Sequence, residues 1–360
     1  MRPLKVRAVH QLTPAISTGD GVSNGVFFTR TLLREMGYAS EIYSFTTPPS
    51  LSGEVHFPTS CPDDEDQVLL VHHALGHEFG DWIEARKARR VMVYHNITPA
   101  HFFPPEHPVH GLSLKGRNML ARWQAQGTFA ACIGDSGYNS AELIELGYPL
   151  VRTIPLLVDV DACLAKPWNE KVLADHADRF TILFVGRLAP NKCQHDLLRM
   201  MQMLLPHMDR PVELLLVGGS SSDSYEARLR DDIARLGLQG YAHLMGKVDE
   251  ATLYGLYRAA DVFVCLSEHE GFGMPLIEAM LFDTPVIAAD FGSVADTMGC
   301  GGLVVRDKSP EPLAAAIAQL ARNPNLRDAM LAGQRERVSR FARDRLKQDL
   351  ADCLREIGVS

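Results

Sequence analysis

Short apolar runs rich in β-branched residues recur along the chain, and each is followed by a stretch with helical periodicity. In the first half they lie near Lys5–Val9, Glu41–Phe45, Gln67–Val71, Arg90–Tyr94, Phe129–Ile133 and Val151–Ile154. In the second half they lie near residues 181–185, 212–217, 242–245, 262–266, 285–288 and 303–305, and from about Pro310 the pattern is helical. Strands alternating with helices, apolar on both faces, predict an α/β protein built on doubly wound parallel sheets. No internal repeat, low-complexity tract or long disordered linker breaks the pattern. Ligands of such sheets bind beyond the carboxyl ends of the strands, so the strand-to-helix turns are where chemistry is expected.

Two of those turns are unusual. Glu270–Glu278 reads EGFGMPLIE, between the apolar run Asp261–Leu266 and a helix-forming run from Leu276. Gly271 and Gly273 permit close backbone approach, and Pro275 suits a first helical turn, where its missing N–H is not needed. The free amides of such a helix start, with its partial positive charge, form a ready anion site. A glycine-rich turn with an acidic residue near a helix start also occurs with no ligand at all. The second turn is TILFVGRLAPNKCQHDLLR, residues 181–199, where a buried-type strand runs into Gly186, Arg187 and then Lys192 before an amphipathic helix. Arg187 as a fork and Lys192 as a point charge can converge on a diphosphate; otherwise both are solvated loop cations.

Read together, these segments resemble family 4 of the glycosyltransferases, the large retaining group with two Rossmann-like domains known as the GT-B fold. The resemblance rests on GRLAPNK (Gly186–Lys192), VELLLVGG (Val212–Gly219), LMGKV (Leu244–Val248), the Glu-x7-Glu pair Glu270 and Glu278, and PVIAAD (Pro285–Asp290). In the first half, the opening strand is followed by a loop holding Gly19, Asp20, Gly21, Ser23 and Asn24; many relatives have adjacent glycines where this chain has Gly-Asp-Gly. YHNITPAHFF (Tyr94–Phe103) resembles a segment of bacterial surface-polysaccharide members, and CIGDSGYNSAEL (Cys132–Leu143) fits the family's strand, serine-containing turn and helix.

The resemblance implies an acceptor-binding domain over residues 1–158 plus about 342–360, with a last helix near Asp344–Ile357 crossing back onto it. It implies a donor-binding domain over residues 159–341, the two facing a deep cleft. It implies that Arg187 and Lys192 stabilise the departing diphosphate, and that Glu270 holds hydroxyls of the transferred sugar and Glu278 the ribose. Gly186, Gly218, Lys247 and Val248 would lie around the nucleotide. Backbone amides of Gly271, Phe272, Gly273, Met274 and Leu276 would meet sugar and diphosphate. Arg187, Lys192, Glu270 and His95 would be the catalytic residues, and His95 with the Gly19–Asn24 loop would line the acceptor side. The expected function is metal-independent transfer of a hexose from a GDP- or UDP-sugar to a glycan or lipid-linked acceptor, with retention and with no cofactor. A sugar-nucleotide epimerase or hydrolase, and a non-catalytic sugar-nucleotide binder, are the alternatives. An NAD-dependent dehydrogenase fits less well, because no Gly-x-Gly-x-x-Gly follows the first strand.

Composition narrows the picture further. A chain of 360 residues, 46% hydrophobic, can bury two cores. A formal net charge of -8 argues against a nucleic-acid binder. Seven scattered cysteines without a Cys-x-x-Cys pair read as reduced thiols of a cytoplasmic protein. Neither a signal peptide nor an apolar run of roughly 18 to 20 residues is expected. Peripheral contact with the anionic inner face of a membrane is suggested by Glu84–Arg90 (EARKARR) with Lys115, Arg117 and Arg122, a pattern equally fitting a solvated helix face. His72, His73 and His77 raise a metal site as a rival, but no acidic or cysteine ligand pattern accompanies them. Asp159-Val160-Asp161, the one Asp-x-Asp candidate considered for a metal-binding signature, falls in the expected linker and reads as accidental.

Overall fold

Thirteen strands take up the apolar runs in a computed structural model that describes residues 6–359. Seven form one sheet: β1 (Ala8–Ala15), β2 (Ile42–Thr46), β3 (Val55–His56), β4 (Gln67–His73), β5 (Arg89–Tyr94), β6 (Ala131–Gly134) and β7 (Val151–Thr153), in the order β3-β2-β1-β4-β5-β6-β7. Six form the other: β8 (Phe180–Val185), β9 (Val212–Val217), β10 (Ala242–Gly246), β11 (Val262–Cys265), β12 (Val286–Ala289) and β13 (Leu303–Val305), in the order β10-β9-β8-β11-β12-β13. Every pairing in both is parallel. The chain divides into two units, Met1–Asp159 with Phe341–Ser360 and Val160–Arg340.

Burial on both faces explains the unbroken apolar runs. Ile182 and Leu183 of β8 and Leu214 and Leu216 of β9 are wholly inaccessible to solvent, and neighbouring side chains on each strand point to opposite faces. The helix Gln194–Leu204 covers one face with Leu197, Leu198, Met201 and Leu204, all fully buried at helical spacing. In the first unit, Leu69 and Val71 of β4 and Met92 and Tyr94 of β5 pack with Trp123, whose indole N–H donates to Glu84 at 2.8 Å.

Two strands depart from the periodicity. The first was expected near Lys5–Val9; Lys5 lies outside the described residues, and β1 runs on to Ala15. Polar His10, Gln11 and Thr13 hide the strand in the sequence, yet all three are buried and bonded: His10 Nδ1 accepts from Glu41 N at 3.1 Å, Gln11 Nε2 donates to Val26 O at 3.0 Å and Thr13 Oγ1 to Ala15 O at 2.8 Å. The edge strand β3 was not expected at all, because two residues between the proline-led turns Pro49–Leu51 and Pro58–Ser60 carry no alternation.

After Phe341 the chain rejoins the first unit as the helix Arg343–Glu356. Its stripe Leu346, Leu350 and Leu354 is buried, while Arg343 pairs with Asp159 at 3.0 Å and Lys347 with Glu35 at 3.1 Å. Such exposed pairs contribute little, so the leucines anchor the helix.

Successive side chains of β4 point to opposite faces, which separates His72 from His73. His73 packs on Trp123 with ring centres 4.9 Å apart, donates from Nε2 to Gly116 O at 3.3 Å, and has no partner for Nδ1 among the described residues. His77 accepts the Phe79 N–H at 3.1 Å. Burial, then the neighbouring His77, lowers His73 to about 3; burial, then the Lys115 ammonium, lowers His77 to about 4. Both rings are therefore neutral in the folded chain while the unfolded chain protonates near pH 6.5. The stability they confer is complete above pH 6.5 and is lost as pH falls toward 4 and below. Tryptophan-fluorescence melts should show the first unit's midpoint falling by roughly 10 °C between pH 7 and 4.5. In a His77→Gln variant the fall should shrink; an identical fall in the variant would remove His77 from the acid response.

Candidate functional site

Both singled-out turns stand at the carboxyl edge of the second unit's sheet. β8 leads through Gly186 and Arg187 to the short turn Pro190–Lys192 and then the helix Gln194–Leu204. Gly218, at the end of β9, is packed so closely that a Cβ there would lie 2.1 Å from Gly186 O, so no other residue fits. Gln194 Nε2 donates to Arg187 O at 2.8 Å and Ser221 Oγ to Leu188 O at 2.7 Å, which ties down a loop without regular structure. β11 leads through Glu270 to the helix Met274–Leu281, with Gly273 as its cap at φ 87° and Pro275 in the first turn. Glu270 O accepts from Ser293 N at 3.0 Å, and Phe272 O from the Thr297 hydroxyl.

The turns meet through their charged side chains. Lys192 Nζ lies 2.6 Å from Glu270 Oε1, with the two side chains only 18% and 12% exposed. Burial alone would push the Glu270 carboxyl up; the Lys192 ammonium and hydrogen bonds outweigh it and hold the group below the usual carboxylate range. Glu278 behaves oppositely. Burial pushes its carboxyl up, only partly offset by the Tyr257 hydroxyl, which donates to Oε2 at 2.8 Å. The arrangement thus offers an ammonium–carboxylate pair and, one turn into the helix, a second carboxylate braced from behind.

The remaining expected residues fall around these. Arg187 is exposed and has no ion-pair partner among the described residues. Lys247 is exposed with its aliphatic stem over Gly219, and Val248 packs on the second core. The Phe272 and Leu276 side chains are buried, so these positions present backbone alone, whereas Met274 is half-buried.

In the first unit, Asp20 caps the helix Gly21–Glu35: Oδ1 accepts from Ser23 N at 2.9 Å, and the Ser17 hydroxyl donates to Oδ2. Ser23 Oγ accepts from Ser17 N at 3.0 Å. These side chains thus build the loop itself. Gly19 and Asn24 are exposed and Gly21 half-buried.

His95 stands in a buried chain. Gln11, whose amide nitrogen donates to Val26 O, meets His72 Nε2 with its oxygen at 3.1 Å; His72 Nδ1 lies 2.8 Å from His95 Nε2; His95 Nδ1 lies 2.5 Å from Asp135 Oδ2. Burial, then His95, keeps the His72 ring neutral. Gln11 therefore fixes His72 with its proton on Nε2, which leaves Nδ1 to accept from His95. Neither ring nitrogen of His95 is free. His72, Asp135 and His95 also line a cavity of about 30 Å³, room for one water.

The histidine cluster does not converge on a metal: His72 faces His95, on the other side of the sheet from His73 and His77. Among the described residues the group that does bring ligand atoms together is Cys193, His195 and Asp196, within 4.8 Å of one another. The Lys308 ammonium already sits there, 2.9 Å from Asp196 and 3.4 Å from Cys193. The basic segment of the first unit is likewise engaged. Arg86 stacks over Trp82 at 4.2 Å, Arg90 donates to backbone carbonyls, Arg117 and Lys115 pair with Glu142 and Glu78, and Arg122 with Glu84 at 2.6 Å. No helix among the described residues is long and apolar enough to cross a membrane.

Tyr257, Asp135 and Lys308 escaped sequence reasoning. Tyr257 reads there as one more apolar helix position, Asp135 as a turn residue and Lys308 as a surface lysine; only tertiary structure reveals their partners.

Residues 167–337 match the family described as glycosyl transferases group 1. The D-inositol 3-phosphate glycosyltransferase of Saccharomonospora viridis is 34% identical over 215 residues, 57% of this chain and 50% of that protein. Its namesake from Streptosporangium roseum is 32% identical over 184 residues, 49% and 42% of the two chains. The chain thus spans about half the length of the curated relatives it matches. Among solved structures, a glycosyltransferase from Rickettsia africae aligns at TM-score 0.74 and 17% identity over 98% of both chains. Anabaena Alr3699/HepE in complex with UDP and glucose aligns at 0.74 and 17%, over 97% of this chain and all of that one. These likenesses show the fold, two Rossmann-like units of the GT-B type. Lys192, Glu270 and Glu278 all lie inside the segment of the second unit that matches the glycosyl transferases group 1 family.

Proposed function

We propose that the protein is a retaining, metal-independent glycosyltransferase that moves a hexose from a UDP- or GDP-sugar to a glycan or lipid-linked acceptor. The observation that carries this reading is the buried Lys192–Glu270 pair joining two strand-to-helix turns, with Glu278 in the helix that follows Glu270. A nucleoside diphosphate sugar has four features to recognise, and this edge of the sheet has a group for each. Lys192 and Arg187 face the diphosphate, with the helix amides that follow Gly273. Glu270 accepts from hydroxyls of the sugar, and Glu278 from the ribose. Backbone around Gly246–Val248 meets the base. The Gly19–Asn24 loop and His95 supply the acceptor side.

As the bond from the anomeric carbon to the diphosphate oxygen breaks, positive charge develops on the sugar and negative charge on the leaving group. Lys192, relinquishing part of its bond to Glu270, stabilises the leaving oxygen, and the acceptor oxygen bonds to the anomeric carbon on the same face. Its proton passes to the departing phosphate. His95 is no base here, since both its nitrogens are occupied; it holds and shapes the acceptor side.

Nucleotide release from UDP- and GDP-hexoses, assayed with excess chelator and with a lipid and glycan extract as acceptor, tests the reading. Release that depends on the extract and is indifferent to chelator is expected. Equal release without the extract would make the protein a sugar-nucleotide hydrolase, and chelator-sensitive release restored by one metal ion would overturn the metal-free mechanism.

A further inference from the structure

We propose that Lys308, outside both turns, is the positioning residue that holds Lys192 and Glu270 in register. Lys308 follows β13, on a loop of its own. Its ammonium lies 2.5 Å from Glu268 Oε1, 2.9 Å from Asp196 Oδ2 and 3.4 Å from Cys193 Sγ, and the Phe291 ring covers it at 5.7 Å. Each partner is a short step from the pair. Cys193 follows Lys192, Asp196 sits in the first turn of the helix that Lys192 leads into, and Glu268 precedes Glu270 by two residues. The turns share one backbone bond here, Glu268 N to Asn191 O at 2.8 Å.

Beside this bond and the Lys192–Glu270 pair, the ammonium adds a further tie on the side-chain level, drawing Glu268 toward Asp196, whose other oxygen also pairs with Arg199 at 3.2 Å. Lys308 is 21% exposed, Asp196 14% and Glu268 38%, so the Asp196 arm of the bridge is screened less than a surface pair and the Glu268 arm lies nearer solvent. Burial opposes the Lys308 charge, but the carboxylates more than compensate and hold the ammonium firmly protonated. Lys192 and Glu270 must meet opposite ends of one leaving bond, so a shift of about 1 Å between their turns is costly to the rate.

The proposal rests on the donor-site reading for its consequence, but the tie itself can be tested without any ligand. Cys193 is 1% exposed under the bridge, and its thiol is pushed up to about 11 by burial, with Lys308 opposing the shift. Loss of Lys308 raises that value further and by itself slows alkylation, so faster labelling reports an opened seam. The full chain is labelled with N-ethylmaleimide and its cysteines are followed by peptide mass spectrometry, alongside turnover of UDP- and GDP-hexoses. In Lys308→Met, Cys193 should label at least about tenfold faster with Cys265 unchanged, and turnover should fall by about tenfold or more; Lys308→Arg should restore both. The neutral triple variant Lys308→Met/Asp196→Asn/Glu268→Gln removes the unpaired charges and keeps the experiment interpretable should Lys308→Met fail to fold. A positioning role predicts that it stays fast-labelling and slow in turnover. Cys193 labelling as slow as in the wild type, in Lys308→Met or in the triple, overturns the tie. Fast labelling with normal turnover overturns its role in positioning. A wild-type chain that turns over no nucleotide sugar contradicts the transferase reading, while labelling still decides whether Lys308 closes the seam.

Discussion

Replacing Lys192 with alanine should lower turnover by at least about a hundredfold, because the ammonium acts chiefly on charge that develops as the diphosphate leaves. The structure adds a second consequence. Lys192 is the cation that keeps the largely buried Glu270 ionised, so the alanine variant leaves an uncompensated carboxylate and should also lose about 3 kcal/mol of stability. The two effects separate in a double variant. Lys192→Met with Glu270→Gln replaces the ion pair by neutral groups of similar size, so its melting temperature should recover while its turnover does not. Recovered turnover would mean that the pair merely stabilises the fold, and near-normal turnover in Lys192→Ala would remove the residue from the site.

Glu270→Ala should abolish sugar transfer while nucleoside diphosphate binding is largely kept. The carboxylate is assigned to the sugar, and its removal frees Lys192 for the phosphates. Calorimetry with the nucleoside diphosphate and with its sugar conjugate distinguishes the contributions: affinity for the first should hold within a few fold, whereas the advantage conferred by the sugar should vanish. Equal loss of both affinities would place Glu270 on the nucleotide. Glu278 provides the contrast, since its partner is the Tyr257 hydroxyl rather than the ammonium, and its removal should weaken both ligands alike.

The parts of this site that could be read along the chain are those with a local signature. A strand end, a glycine, a proline and a charge at fixed spacing identify Gly186, Lys192, Glu270 and Glu278, because each such turn is assembled from neighbours in sequence. The relations between turns have no such signature. Lys192 and Glu270 come together only because β8 and β11 are adjacent in a sheet whose order, β10-β9-β8-β11-β12-β13, departs from chain order. Lys308 belongs to the same class, brought to Asp196 and Glu268 from the loop after β13. Polar residues mislead in the other direction. His10, Gln11 and Thr13 conceal half of β1, and the segment from Glu84 to Arg90 reads as a basic patch although Arg86 is taken up by Trp82 and Asp63 and Arg90 by backbone carbonyls. The family resemblance sets His95 on the acceptor side; its bonds to His72 and Asp135, contributed by two other strand ends, commit both ring nitrogens.

Calorimetric titration of the intact chain with UDP, GDP, ADP and CMP, chelator present throughout, tests most directly whether the two turns form a nucleotide-sugar site. The account predicts selective binding of UDP or GDP without metal, lost in Lys192→Ala and retained in Glu270→Ala. Failure of all four nucleotides to bind, or binding that survives loss of Lys192 unchanged, would contradict it.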